Sequence, residues 1–237
     1  MSFGTAAASY VESGEILASL IAAYNFEEGA GVTTADVSNN GHDLTIGPYG
    51  SYVTGHSSNF AVQGDVDNKQ GELGAGAYGT FPGGSPGSGP FSACFWAQIP
   101  DAGGAVCVSA FNTVASRGDP WAISVEDDGS VQAFWYGDTD TLNSAAVSMT
   151  TGVVTANIWV HIAGVFMPGN GVTLYANGVV VTTYSWQGGS SAFYDTWETL
   201  LIGSSRWGSA GGIVDDLRIC GEALTETQIM TLMNQPV

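Results

Sequence analysis

Short runs of alternating or continuous apolar residues, separated by Gly, Pro, Asn and Asp, recur along most of the chain. A period of two puts every second side chain on one face, so this many short runs predicts an all-β sandwich or barrel. The predicted strands are Leu20–Phe26, Leu44–Gly47, Asn59–Val62, Phe91–Gln98, Ala105–Asn112, Trp121–Glu126 and Ser130–Tyr136 in the first part of the chain. Ala145–Met149, Trp159–Met167, Gly171–Ala176, Val179–Tyr184, Thr199–Ile202 and Gly212–Ile219 follow. Asp128-Gly129 and Asn177-Gly178 are the pairs that two-residue hairpin turns require. Phe81 to Pro90, rich in Gly, Pro and Ser, reads as a loop within the domain, because apolar strands flank it. One stretch, Glu222 to Met233, has a helical period. Thr225 and Gln228 have capping-box spacing there, and Leu224, Ile229, Leu232 and Met233 form its staple and apolar face. The chain shows no internal repeat.

Composition narrows the function classes. The 237 residues hold 22 acidic and 4 basic side chains, for a net charge of −18, and charged residues are 11% of the total. An ordinary soluble domain carries about 25%. The acidity therefore comes from missing Lys and Arg, which leaves a surface of Ser, Thr, Asn, Gln, Gly and small apolar residues. Lys69, Arg117, Arg206 and Arg218 are too few and too scattered to neutralise a phosphate backbone, which excludes nucleic acid. No apolar run approaches the ~18 residues of a membrane helix, so no membrane insertion is expected. A charge-poor surface suits a secreted or virion protein, or a subunit buried against neighbours, since interface cores are depleted in charge.

Cys94, Cys107 and Cys220 are odd in number and lack CxxC spacing, so neither a zinc site nor a disulfide framework is indicated. Cys94 and Cys107 lie in apolar strand sequences and read as small core residues. The N-terminal segment has no basic n-region and no compact apolar block before a cleavage site, unlike a Sec signal peptide.

Four segments, in order, resemble the laminin-G-like jelly-roll family of the concanavalin-A-like lectin/glucanase superfamily. Leu20 to Gly31 and Asp36 to Leu44 are similar to the family's opening strand and its D-x-S-G-N-G turn. Phe91 to Ala97 resembles F-T-I-S-A-W. Trp159 to Phe166 and Thr173 to Gly178 match W-x-H-V-A-x-x-F and L-Y-V-N-G. Leu201 to Gly203, Gly212 to Ile219 and Glu222 to Thr225 resemble the closing I-D-E-V-R-I-Y and A-L-S segments. The resemblance implies an antiparallel jelly-roll β-sandwich over residues 18–237 with one short C-terminal helix. Residues 1–17 stand outside it as an N-terminal extension, a candidate docking segment.

The resemblance also implies a structural calcium between the first turn and the last strand. The matching positions are Asp36, Asn39, Asp215 and Asp216, whose carboxylate and amide oxygens suit this hard cation. Asn39 and His42 depart from the family pattern. The competing reading has Asp36 closing an Asx turn and Arg218 pairing with an acidic neighbour. Asp65, Asp67 and Glu72 lack the spacing of an EF-hand loop and read as a solvated loop.

Glycoside hydrolysis needs two carboxylates roughly 5 to 10 Å apart across a cleft. The E-x-D-x-x-E arrangement that relatives use is absent, and Asp195 with Glu198 gives at most one facing pair. There is no Ser or Cys nucleophile motif and no phosphate loop, and His161 reads as a structural strand residue. A non-catalytic domain is expected, with a glycoside hydrolase or polysaccharide lyase as the least favoured reading. Sugars stack on exposed aromatic faces, and the loops hold Trp186, Tyr194, Trp197 and Trp207, with Arg206 as a hydrogen-bonding neighbour. Trp207 with Arg206 is the best of these.

Two functions follow. The favoured one is a structural or decoration protein of a virion or cell surface (phage head, fibre or tail type) that recognises glycans and assembles with other subunits or with itself as a homo-oligomer. An initiator Met without a Sec signal favours it. The alternative is a free secreted carbohydrate-binding module.

Overall fold

The computed structural model describes residues 19–64, 77–80, 89–100, 105–111, 121–126, 128–135, 147–148, 153–167, 170–185, 199–203 and 211–237. Two antiparallel sheets face each other as a sandwich. The first sheet contains β1 (Leu20–Tyr24), β4 (Ser51–Thr54), β5 (Phe60–Gln63), β7 (Phe91–Gln98), β12 (Val160–Met167), β13 (Gly171–Ala176), β14 (Val179–Ser185) and β16 (Ile213–Cys220). Its order is β14-β13-β12-β7-β16-β5-β4, with β1 also pairing with β16. The second contains β2 (Thr33–Thr34), β3 (Leu44–Ile46), β6 (Ala77–Thr80), β8 (Val106–Phe111), β9 (Trp121–Val125), β10 (Val131–Trp135), β11 (Val147–Ser148) and β15 (Thr199–Ile202). Its order is β11-β10-β9-β8-β15-β6-β3-β2. Strands distant in sequence lie side by side, and the first described strand, β1, pairs with the last, β16.

The period of two explains the core. Phe91, Ala93, Phe95 and Ala97 of β7, Ile162 and Phe166 of β12, and Val214, Leu217 and Ile219 of β16 point into the sandwich. Val106, Val108, Trp121 and Ile123 meet them from the second sheet. Phe91 and Phe166 stack with ring centroids 4.5 Å apart.

The alternate residues of β7, β12 and β16 face outward, yet they are also covered. Cys94, Ala163, Val165, Tyr175 and Cys220 form a second apolar cluster with Leu224, Ile229 and Leu232. The helix α1 (Glu226–Met233) supplies the last two and closes this outer face. The predicted capping box is present: Thr225 Oγ1 accepts from Gln228 N, and Thr225 N donates to Gln228 Oε1 at 2.8 Å. The helix starts at Glu226, directly after the predicted N-cap Thr225, which is extended, with φ −77° and ψ 160°. Cys94 and Cys220 are free and buried beneath the helix, and burial pushes the Cys220 thiol up to about 12. The side chain of Cys107 lies outside the described residues.

The first strand ends two residues before the predicted Phe26. Phe26 takes a left-handed φ of 56° and turns the chain while its ring stays buried against Tyr24. Three strands, β2, β4 and β6, are additions to the prediction. Each has two to four residues, too few for a periodic signal to stand out.

Candidate functional site

Two adjoining regions hold the buried polar groups of the first sheet. The opening turn comes first. Asp36 is buried, and its Oδ1 accepts N–H bonds from Ala23 and Ser38, each at 3.0 Å. Its Oδ2 accepts from His42 N at 3.1 Å. The Ser38 bond closes an Asx turn, and the other two pin both ends of the 36–43 loop to each other and to β1. Tyr24 Oη donates to His42 O at 2.6 Å, and Asn40 Nδ2 donates to Leu20 O at 2.8 Å. Burial works against the Asp36 charge, but these donors outweigh it and hold the carboxyl below its ordinary value.

The second region is a row across three strands on the outer face. Register places His161 of β12 and Asp215 of β16 on either side of Trp96 of β7. The 55–58 loop lies over the row. His56 stacks on Trp96 at 3.6 Å between centroids, and Trp159 meets His56 edge-on at 5.7 Å. His56 N donates to Asp215 Oδ2 at 2.8 Å, and Ser58 Oγ lies 2.9 Å from the same oxygen. Gly55 lets the loop pass this close, since a Cβ there would fall 2.8 Å from Asp215 Oδ2. Burial, with the Asp216 charge adding to it, pushes the Asp215 carboxyl up to about 6. His161 is buried, and among the described residues neither ring nitrogen finds a hydrogen-bond partner. Burial pushes it down to about 3, and the charges of Arg218 and His56 act in the same direction. Its backbone is anchored nonetheless: His161 N donates to Asn177 Oδ1 at 3.0 Å, and Asn177 N donates to His161 O at 2.8 Å. The W-x-H strand and the N-G turn, read separately in the sequence, are thus bonded partners.

A bulge in β16 explains how Asp215 and Asp216 can both be buried in a central strand. The register with β7 shifts between Asp215 and Arg218, and Asp216 adopts φ 49°. Asp216 then turns to other partners, accepting from Val237 N at 3.1 Å and Ser57 Oγ at 3.3 Å. Burial works against the Arg218 charge, and the Asp216 carboxylate nearby works for it. Its guanidinium donates to Leu232 O at 3.3 Å and to Gln235 O, beyond the C-terminal end of α1. Beside it lies a cavity of about 230 Å³, lined chiefly by Leu20, Ala23, Val37, Leu232 and Val237.

This donor pattern does not fit the calcium cage that the resemblance implies. Each carboxylate oxygen of Asp36, Asp215 and Asp216 already accepts at least one N–H or O–H bond, so a cation would have to compete with these donors. Among the described residues no three His, Cys, Asp or Glu side chains gather where they could hold a metal ion. Asn39 is exposed at φ 67°, and its Nδ2 points to Val37 O. Calcium or a chelator should leave the melting temperature unchanged in differential scanning calorimetry. A calcium-dependent rise would show that a cation displaces these donors.

The aromatic candidates Trp186, Tyr194, Trp197 and Trp207, together with Arg206, lie outside the described residues, as do Asp195 and Glu198. The row of His56, Trp96, Trp159 and Asp215 was not foreseen. Strand alternation put Trp96 and His161 on one face, but only tertiary pairing brought in Asp215 and the 55–58 loop.

A laminin-G family model, described as the concanavalin A-like lectin/glucanases superfamily, matches residues 73–230. The chain belongs to that superfamily. No curated protein sequence matches the chain. Solved structures show how this member is built. The binding domain of Paraclostridial Mosquitocidal Protein 1 is similar at a TM-score of 0.69 and 17% identity, over 92% of this chain and 52% of that one. The botulinum neurotoxin type C structure, whose cell entry depends on two ganglioside molecules, gives 0.67 at 13%, over 94% and 52%. The serotype D ligand-binding domain in complex with N-acetylneuraminic acid gives 0.67 at 12%, over 94% and 53%. At these identities the likeness is one of fold, and the chain spans about half the length of these binding domains. Among the described residues no helix is long and apolar enough to cross a membrane.

Proposed function

We propose that this superfamily member is a non-catalytic glycan-binding domain displayed on a virion or another extracellular surface. The observation that carries the reading is the shared sandwich, which covers nearly all of this chain and occurs in toxin binding domains, one of them complexed with a sialic acid. The sequence offers Trp186, Tyr194, Trp197 and Trp207 as candidates for the aromatic stacking that sugars need. Net charge selects among sugars. At −18 the chain repels anionic glycans except close to Arg206, so neutral oligosaccharides are the preferred class. The charge-poor surface favours display on an assembly over free diffusion.

A glycan array that includes neutral and sialylated oligosaccharides tests this. Binding to neutral glycans is expected, with Trp207→Ala weakening it about 10-fold or more, the cost of one lost stacking contact. An array without a hit would remove the glycan reading. Retained affinity in Trp207→Ala would move the site elsewhere.

A further inference from the structure

The pair Asn-Gly occurs three times in the chain, at Asn40-Gly41, Asn170-Gly171 and Asn177-Gly178. Asparagine is a thermolabile residue, and a following glycine has no side chain to keep its backbone nitrogen away from the carboxamide. The fold treats the three copies differently. The Asn40 carboxamide is tied down, its Nδ2 donating to Leu20 O at 2.8 Å and to Ile21 O at 3.0 Å. Asn177 is held by its other side-chain atom, Oδ1, which accepts from His161 N at 3.0 Å. Its own N–H donates to His161 O at 2.8 Å, so backbone and side chain are fixed together. Asn170 is exposed, and its backbone N–H donates to Met167 O at 3.0 Å. Among the described residues its carboxamide has no hydrogen-bond partner, so nothing restrains its rotation.

Position adds to this freedom. Gly171 pairs with Met167 in the last rung of the β12–β13 ladder. End rungs open more readily than the interior of a ladder, which releases the Gly171 N–H. The glycine is itself fixed by the fold: its φ is 127°, and a Cβ there would overlap Tyr184 O. We propose that Asn170 is a site of spontaneous deamidation in the native protein. The Gly171 nitrogen loses its proton to solvent and attacks Asn170 Cγ. The bond from Cγ to Nδ2 breaks, and the amide nitrogen takes up a proton and leaves as ammonia. Water then opens the cyclic imide, giving aspartate from one carbonyl and isoaspartate from the other. Water is the one co-reactant, and nothing is oxidised or reduced. Either product adds one negative charge to the −18 of the chain. That charge falls in a stretch, between Asp140 and Asp195, that has no Asp, Glu, Lys or Arg. Isoaspartate also lengthens the backbone by a methylene at the end of the hairpin.

Ageing the full chain in warm, mildly alkaline buffer and mapping its chymotryptic peptides by mass spectrometry tests this. Asn170 should convert about 10-fold faster than Asn40 or Asn177, whose carboxamides must first break their hydrogen bonds. Enzymatic methylation of isoaspartate should label the Asn170 peptide first. In urea the restraints are gone, and the three pairs should react at similar rates. Asn170→Gln, whose longer side chain closes the ring slowly, should remove most of the acidic species that ageing produces on ion exchange. An Asn170 that stays intact in the native chain while the unfolded chain is converted would overturn the proposal. So would Asn40 or Asn177 reacting as fast as Asn170 in the native chain. A lead for Asn170 that persists in urea would place the cause in local sequence and not in the fold, which also overturns it. An undiminished acidic species in Asn170→Gln does the same.

Discussion

Replacing Asp36 with Ala should cost about 3 kcal/mol, because three backbone N–H groups lose their acceptor at once. Those groups belong to Ala23, Ser38 and His42, so the variant releases β1 and both ends of the opening loop together. Asp36→Asn should fall between the two, since the amide keeps one acceptor oxygen and sets an N–H donor against another. For a chain of this length 3 kcal/mol corresponds to a fall in melting temperature of about 10 °C, readable by calorimetry or circular dichroism. An Asp36→Ala protein that melts within a degree or two of the wild type would show that the loop holds without its carboxylate. The pH dependence carries the same signature. A carboxyl held below its ordinary value contributes stability above the unfolded pKa of 3.8, and that stability is lost as pH falls through the folded value. Its window is therefore strongly acid.

His161 acts in a different window and with a different partner. Its folded value near 3 lies well below 6.5, so the unfolded chain takes up a proton that the folded chain refuses. Stability is then full above pH 6.5 and is withdrawn as pH falls towards 3, amounting to about 2–3 kcal/mol by pH ~4.5. His56 is also held below its ordinary value, first by burial, and adds in the same direction. Asp215 opposes both. Its folded value near 6 lies above 3.8, so the folded chain binds its proton first and gains stability as pH falls between them, by an amount of similar size. The wild type should therefore show a shallow pH dependence between about 6 and 4, the sum of opposed slopes. His161→Leu removes one of them. At neutral pH it should cost less than about 1 kcal/mol, since neither ring nitrogen has a partner to lose among the described residues. At pH ~4.5 the variant should be more stable than the wild type by about 2 kcal/mol. Urea midpoints at the two pH values decide the matter. Parallel pH profiles for wild type and variant would mean that His161 does not govern the acid limb.

The strand content of this chain was legible because its signal is local. Phe91–Gln98, Gly171–Ala176 and Thr199–Ile202 occupy their predicted bounds, since alternation of apolar and small residues between turn formers needs no tertiary help. The capping box at Thr225 and the Asn177-Gly178 turn followed from two or four residues each. The motif order also pointed to the jelly roll before any pairing was known. By contrast, β4 was invisible: four residues between glycines acquire strand character only by pairing with β5.

The site was less legible for the same reason. From composition alone, Asp215 and Asp216 suit calcium as well as a hydrogen-bonded bulge, since both chemistries use carboxylate oxygens. The fold brings His56 N, Ser58 Oγ and Val237 N to those oxygens across sequence separations no local pattern encodes. His161 illustrates the division most clearly. Alternation along Trp159 to Met167 determined which face it occupies, as it determined the faces of Trp96 and Cys94. Whether that outer face is wet or dry depended on α1 folding over Cys94 and Cys220 and on Trp96 and the 55–58 loop closing over the row, and burial there, not residue type, set the protonation of the histidine.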